Sequence, residues 1–329
     1  MMDFLTINVL GQQAWMWLAF LTVVVILLVF DLGILHRKTH EISIKESLWL
    51  SLFYIVIACI FGGWVWYELG AAKGQEYFTG FIVEKTLALD NIFVISLVFT
   101  YFGIPRLYQH RTLFWGILGV IVLRGIMIGV GASLIQSFHW LLYIFALFLI
   151  YTGIKMFKMI DDDHDVSQNF VLKIIRKYFR ITPELHGERF FVRLPKPNNP
   201  NKLITYCTPL FVALCIVEVV DVIFAVDSIP AIFAITTDTY IIYTSNIFAI
   251  LGLRALYFAL AAIIHRFKYL KYSLAFVLIF IGSKVFIAKM LGLEKFPASV
   301  SLSVTFALIA TGVIYSLYKT KNEGENTNA

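Results

Sequence analysis

The stretch FVALCIVEVVDVIFAVDSIPAIFAI, residues 211–235, sets three carboxylates (Glu218, Asp221 and Asp227) in an otherwise apolar run. About 20 apolar residues suffice to cross a bilayer as a helix, so the run is long enough to span. A charge at the centre of such a helix costs about 2.5–3.5 kcal/mol. The expense is repeated. In FIVEKTLALDNIFVISLVF, residues 81–99, Glu84-x5-Asp90 matches the spacing of Asp221-x5-Asp227. The next apolar stretch in each case carries an arginine, Arg124 in GVIVLRGIM and Arg254 in ILGLRALYF. The one after that carries a lysine behind a glycine, Lys155 in YTGIKMF and Lys284 in FIGSKVF. A duplicated unit that keeps costly charges points to a function for them.

The rest of the chain agrees with a membrane setting. It is 60% hydrophobic and only 15% charged, which leaves too little charge for a soluble surface. The pattern predicts nine spans, at 14–35, 47–69, 79–102, 112–133, 137–158, 204–235, 242–264, 271–290 and 298–318. The first is too long for a signal-peptide core and has no basic flank, so it reads as a retained helix. Nineteen Lys and Arg fall in alternate loops and the C-terminal tail, and three in the opposite loops. By the positive-inside rule the N-terminus lies outside and the C-terminus in the cytoplasm, as expected for a bacterial inner-membrane protein. The net charge of +6 is then a topology signal, and no nucleic-acid partner is expected. Cys59, Cys207 and Cys215 lie in or beside spans, so no disulfide is expected. No phosphate-binding GxxxxGK[ST] loop occurs, which excludes ATP hydrolysis by that route.

The organisation follows. Residues 1–78 supply two peripheral helices, 79–158 a first three-helix repeat, and 204–290 a second. Residues 291–329 add a last helix and tail. Three is odd, so the second repeat must be inverted relative to the first, a plan that places transporter sites near the midplane. The fold class is an all-α polytopic membrane protein. Residues 159–203 form a cytoplasmic insertion, with an acidic run at 161–165 and an amphipathic segment, NFVLKIIRKYFR, suited to an anionic leaflet. Its prolines, Pro183, Pro195, Pro197 and Pro200, mark the remainder as loop.

Ten intramembrane charges without partners would cost about 25–35 kcal/mol, against a typical net stability of about 5–15 kcal/mol. They must pair, bind an ion or face water. Two readings stay open: the acids pair with Lys85, Arg124, Lys155, Arg254 and Lys284 to hold helix register, or they gather around a cation. Lys85 leaves Glu84 on a different face and is expected to snorkel outward. On antiparallel helices Glu84 and Asp227 lie in one tier, with Asp90 and Asp221 about 9 Å deeper. A six-residue step turns about 240°, so either the helices are interrupted or one acid of each pair has another partner. Pro230, just after Asp227 and Ser228, offers an interruption. Asn91 and Ser228 could add neutral oxygen ligands. Oxygen donors without histidine or paired thiols suit Mg²⁺, Ca²⁺ or Mn²⁺.

EKTLALDNIFV, VEVVDVIFAVDSIPAIFA, FIGSKVF and TSNIFAILGLRALYF resemble the TerC family of integral membrane proteins, and most closely its longer Alx-type members. The resemblance runs nearly end to end. It implies an inverted-repeat transporter related to the lysine exporter superfamily, with Mn²⁺ efflux as the associated activity. By it, Glu84, Asp90, Glu218, Asp221 and Asp227 form the metal-binding set. The family also carries a tellurium-resistance phenotype and a link to metal supply for exported enzymes, so an oxyanion transporter and a scaffold working with export machinery are the alternatives. No enzymatic activity and no resident cofactor are expected.

Overall fold

A computed structural model describes residues 7–33, 43–158, 179–196, 199–261, 269–293 and 296–327. The acidic run at 161–165 and most of the amphipathic segment lie outside the described residues. So do the side chains of Asp90 and Asp227, although both positions are helical.

Helices overlap each predicted span, although the sixth begins at Pro209, since 204–207 belong to a strand. They are α1 (Ala14–Gly33), α2 (Ile44–Leu69), α3 (Ala71–Tyr101), α4 (Arg106–Ser137), α5 (Leu141–Lys158) and α6 (Pro209–Ile235), then α7 (Thr239–Leu251), α8 (Leu253–Leu260), α9 (Leu270–Met290) and α10 (Ala298–Thr327). Among the described residues, six helical stretches are long and apolar enough to cross a membrane: α2, α4, α6, α7 with α8, α9 and α10. Shorter apolar stretches occupy α1 and α5. The outward face is apolar, with Trp49, Ile60, Val122, Leu147, Ile223, Phe306 and Ile314 all exposed. That is a surface for lipid rather than water.

Burial locates the centre of the bundle. The α7–α8 stretch is 89% buried, against 22% for α10. It begins at Asp238, whose Oδ1 accepts from the backbone N–H of Tyr240 and Ile241, an N-cap that satisfies donors the helix cannot. Around it pack α3, α4, α2 and α1, through Phe20, Phe61, Tyr77, Tyr240 and Phe248.

The third helices of the two proposed repeats meet antiparallel, in a reciprocal contact. A Cβ added at Gly153 would lie 2.8 Å from the Ala275 carbonyl oxygen and 2.6 Å from Ile279 Cγ1. One added at Gly282 would lie 2.6 Å from the Ala146 carbonyl oxygen and 2.8 Å from Ile150 Cγ1. Small residues let membrane helices close to backbone contact. Gly282→Val should therefore destabilise the fold by about 1–3 kcal/mol or more, because a backbone carbonyl cannot rotate away as a side chain can. Thermal unfolding in detergent measures this; an unchanged midpoint would mean that the contact is slack.

Two local expectations are corrected. The stretch expected to be loop around Pro195 and Pro200 forms a hairpin, Phe191–Lys196 (β3) with Asn199–Cys207 (β4); a shorter one, Asn8–Val9 (β1) with Gln12–Gln13 (β2), precedes α1. In a two-stranded hairpin both strands are edges, where proline's missing N–H is tolerated. Helix α6 is not interrupted at Pro230, which lies inside it. One lost backbone bond in a buried membrane helix is tolerable. The break falls instead at Gly252, between α7 and α8.

Candidate functional site

Arg124, in the middle of α4, is 1% exposed and is the largest fully buried side chain among the described residues. A guanidinium cannot shed its charge in a protein, so its surroundings have to answer it. Asp221 of α6 accepts from Nε at 3.2 Å and from Nη2 at 3.1 Å, a side-on bidentate pair. Glu84 of α3 accepts from Nη1. Asn246 of α7 accepts from Nη1 at 2.8 Å, and Ser228 of α6 at 3.2 Å. One side chain thus joins all three surrounding helices. The planar fork makes this possible; a lysine ammonium would offer a single point.

The two carboxylates have further donors. Asn91 Nδ2 donates to Asp221 Oδ1 at 3.1 Å, and Asn246 Nδ2 donates to Glu84 Oε2 at 3.4 Å. Glu84, Asn91, Asp221 and Ser228 are all buried. Of the seven predicted metal-site residues, these four are brought together. The predicted tiers do not separate Glu84 from Asp221: a wide guanidinium reaches both. One positive charge faces the two carboxylates that it touches.

Glu218 lies one turn before Asp221, pressed against Gly119 of α4, where any Cβ would collide with its carboxylate. Its Oε2 is buried without a hydrogen-bond partner among the described residues. Beside Asp221 lies a cavity of about 30 Å³ whose polar lining is Asn91, Asp221, Arg254 and Tyr257. A water needs about 10–15 Å³ of such space, so the void has the volume for one, while its accessible wall is almost wholly apolar. Among the described residues no three His, Cys, Asp or Glu side chains converge as a metal cluster.

The charge-compensating set divides. Arg124 pairs with Glu84 and Asp221. Arg254 is buried on the cavity wall, its guanidinium 5.8 Å from the Phe114 ring centre. Lys85 does not snorkel outward: its Nζ donates to the Ala249 carbonyl at 3.1 Å. Ala249 lies in the last turn of α7, where helix carbonyls lose their partners. Lys284 is buried and donates to Ser301 of α10 at 2.9 Å. Lys155, at the matching place in the sequence pattern, is exposed and pairs with no acid among the described residues. Helix α10 covers α9 at Lys284, whereas Lys155 stands near the end of α5 and reaches outward, as long cationic side chains at helix ends do.

Asn246 was not singled out from the sequence. The signal was present: Thr244-Ser245-Asn246 is a polar triplet in an apolar span. Thr244 and Ser245 bond back to carbonyls of their own helix, the usual local satisfaction of hydroxyls in helices, and only Asn246 reaches across.

A lipid-facing helical bundle with a buried charged centre defines a polytopic integral membrane protein. The chain belongs to the integral membrane protein TerC family, whose model matches residues 69–324. A membrane protein of Rickettsia bellii is 52% identical over 303 residues, covering 92% of this chain and 97% of that protein. Proteins of Escherichia coli K12 and Salmonella typhi, provisionally named membrane-bound redox modulator Alx, are 42% and 41% identical over 312 residues, covering 92% of this chain and 94% of theirs. No solved structure matches.

Proposed function

We propose that this protein is a secondary exporter of divalent metal ions, Mn²⁺ foremost, working by alternating access in the bacterial inner membrane. The observation that carries the reading is the Arg124 bridge beside the cavity. Two carboxylates from different helices share one guanidinium, and one of them, Asp221, borders that cavity. In this reading Arg124 is the resident counter-charge of the empty site. An arriving cation would take Asp221 from the cavity side, and Asn91, now a donor, would turn its amide oxygen inward. Asp90 and Asp227, on the same helices, would complete the ligand set, with Glu84 and Glu218 as further ligands or proton carriers. Carboxylate sites for Mn²⁺ sit at the weak end of the divalent affinity order, which suits release.

The same reading takes nine spans, with the N-terminus outside and the C-terminus cytoplasmic, and two inverted repeats. The reciprocal contact of Gly153 and Gly282 supports the repeat, as a two-fold relation would generate it. The protein is then a carrier, with no enzymatic step. Arg124 is already enclosed by carboxylates, which disfavours oxyanion transport.

The test is Mn²⁺ flux in sealed proteoliposomes with and without a pH gradient, with tellurite in parallel. Mn²⁺ flux that rises with the gradient is expected. Tellurite flux without Mn²⁺ flux would replace the reading with the oxyanion one. A stable complex with an exported protein and no flux of either would favour the scaffold.

A further inference from the structure

Four helices pass the Arg124 bridge, and along each the polar features come in the same order. Helix α3 runs from Lys73 and Glu76, through Glu84, to Asn91 and Ile95 on the cavity wall. Helix α6, read from its end, passes from Ser228 and Asp221 to Val217 on the same wall, and Thr236 follows its last residue. The α7–α8 stretch starts at Asp238, passes Asn246, and reaches Ile250 and Arg254. Helix α4 lines the cavity with Val120 before reaching Arg124. This cavity therefore lies to one side of the bridge.

On the other side is a second polar cluster, eight residues or about 12 Å along α3 from Glu84. Lys73 Nζ lies 3.1 Å from Glu76 Oε2 and 3.0 Å from Asp238 Oδ2. Thr236 Oγ1 donates to the same Glu76 oxygen at 2.5 Å. Gln12, in the hairpin before α1, donates to Asp238 Oδ2 at 3.4 Å. Glu76 is 7% exposed. These contacts tie the start of α3 to the α6–α7 connection, the chain segment that would have to part for an ion to leave the bridge on that side. Between cluster and bridge the helices touch closely: a Cβ at Gly80 would lie 3.0 Å from Ser245 Oγ and 3.2 Å from Ile232 Cδ1.

We infer that Lys73, Glu76, Thr236 and Asp238 form the gate on one face of the membrane, closed in this structure while the bridge faces the cavity on the other. The inference rests on the alternating-access reading. A gate made of hydrogen-bonded ion pairs at a partly solvated helix end suits the task. Its charges can exchange partners for water when it opens, whereas an apolar seal would have to be exposed.

The test uses the full chain with Cys59, Cys207 and Cys215 replaced by Ala and a reporter introduced as Ser245→Cys. Ser245 is fully buried between gate and bridge. Labelling by a charged, membrane-impermeant thiol reagent is followed from each face. Lys73→Met and Thr236→Val should each raise labelling from the gate face about tenfold, the effect of a 1.4 kcal/mol shift, and leave labelling from the other face unchanged. Thr236→Val keeps shape and charge, so it carries the test if Lys73→Met fails to fold. Unchanged labelling from the gate face in the folded variants overturns the gate. Mn²⁺ flux of the parent is measured in parallel. Flux with unchanged labelling sinks the gate alone, while raised labelling without flux keeps the gate and sinks the export reading.

Discussion

Replacing Arg124 by Met is expected to cost about 3–5 kcal/mol of stability, the penalty for removing one partner of a buried ion pair. The cost is large because Glu84 and Asp221 would be left facing each other with no cation between them. Arg124→Lys should recover little, since an ammonium cannot bind Asp221 side-on and still reach Glu84, Ser228 and Asn246. Adding Glu84→Gln and Asp221→Asn to Arg124→Met should restore much of the loss, because a neutral polar centre escapes the charge penalty. Thermal unfolding in detergent across the series reads this directly. If Arg124→Met alone unfolds at the parent temperature, the bridge is not what holds α3, α4, α6 and α7 together.

Asp221→Asn should separate transport from folding. The asparagine still accepts from Arg124 through its oxygen, and Arg124 remains paired one-to-one with Glu84, but its amide NH2 must face a donor, Arg124 Nε or Asn91 Nδ2, so stability should fall by about 1–3 kcal/mol, less than for Arg124→Met. Metal binding should suffer more. Losing a charged partner in a buried site costs about 2–5 kcal/mol, and each 1.4 kcal/mol is about tenfold. Mn²⁺ binding and efflux should fall about thirtyfold or more. Manganese-loaded cells expressing Asp221→Asn, Asp90→Asn or Asp227→Asn should lose both efflux and metal tolerance. Unchanged efflux in all three would end the export reading, and would leave the bridge as a structural clamp.

Against the structure, the two readings left open by the sequence are less opposed than they looked. Glu84 and Asp221 are ion-paired, as register-holding acids would be. The export reading asks in addition that an exchangeable cation take Asp221 from the cavity side. The acids and Arg124 were legible because a charge in an apolar run is costly wherever it sits, and its recurrence needs no coordinates to be noticed. Asn246 was harder to see, because an uncharged amide costs less and its neighbours Thr244 and Ser245 satisfy themselves locally.

Misread features share a cause. Pro230 is a strong local signal for a break, yet α6 runs through it, while the actual break at Gly252 carries a weak signal. Whether a helix continues depends on what can replace the lost bonds, and at Gly252 Lys85 from α3 supplies a donor. The prolines of 191–207 read as loop because one strand alone cannot show that it has only one partner. Lys85 and Lys155 exchanged their expected directions for a similar reason, since neither side chain's neighbours are sequence neighbours.

The sequence by itself determined that this is a lipid-spanning helical protein, roughly where its helices lie, and that carboxylates and bases recur at matching spacings within its apolar runs. Those follow from length, hydropathy and the cost of charge in hydrocarbon, which act residue by residue. Only the tertiary structure decided which acid meets which base. It put Glu84 and Asp221 on one guanidinium, the cavity to one side of it, and the Lys73 cluster to the other. Partnership among buried charges depends on side-chain reach across helices far apart in the chain, and no local property of the sequence encodes that distance.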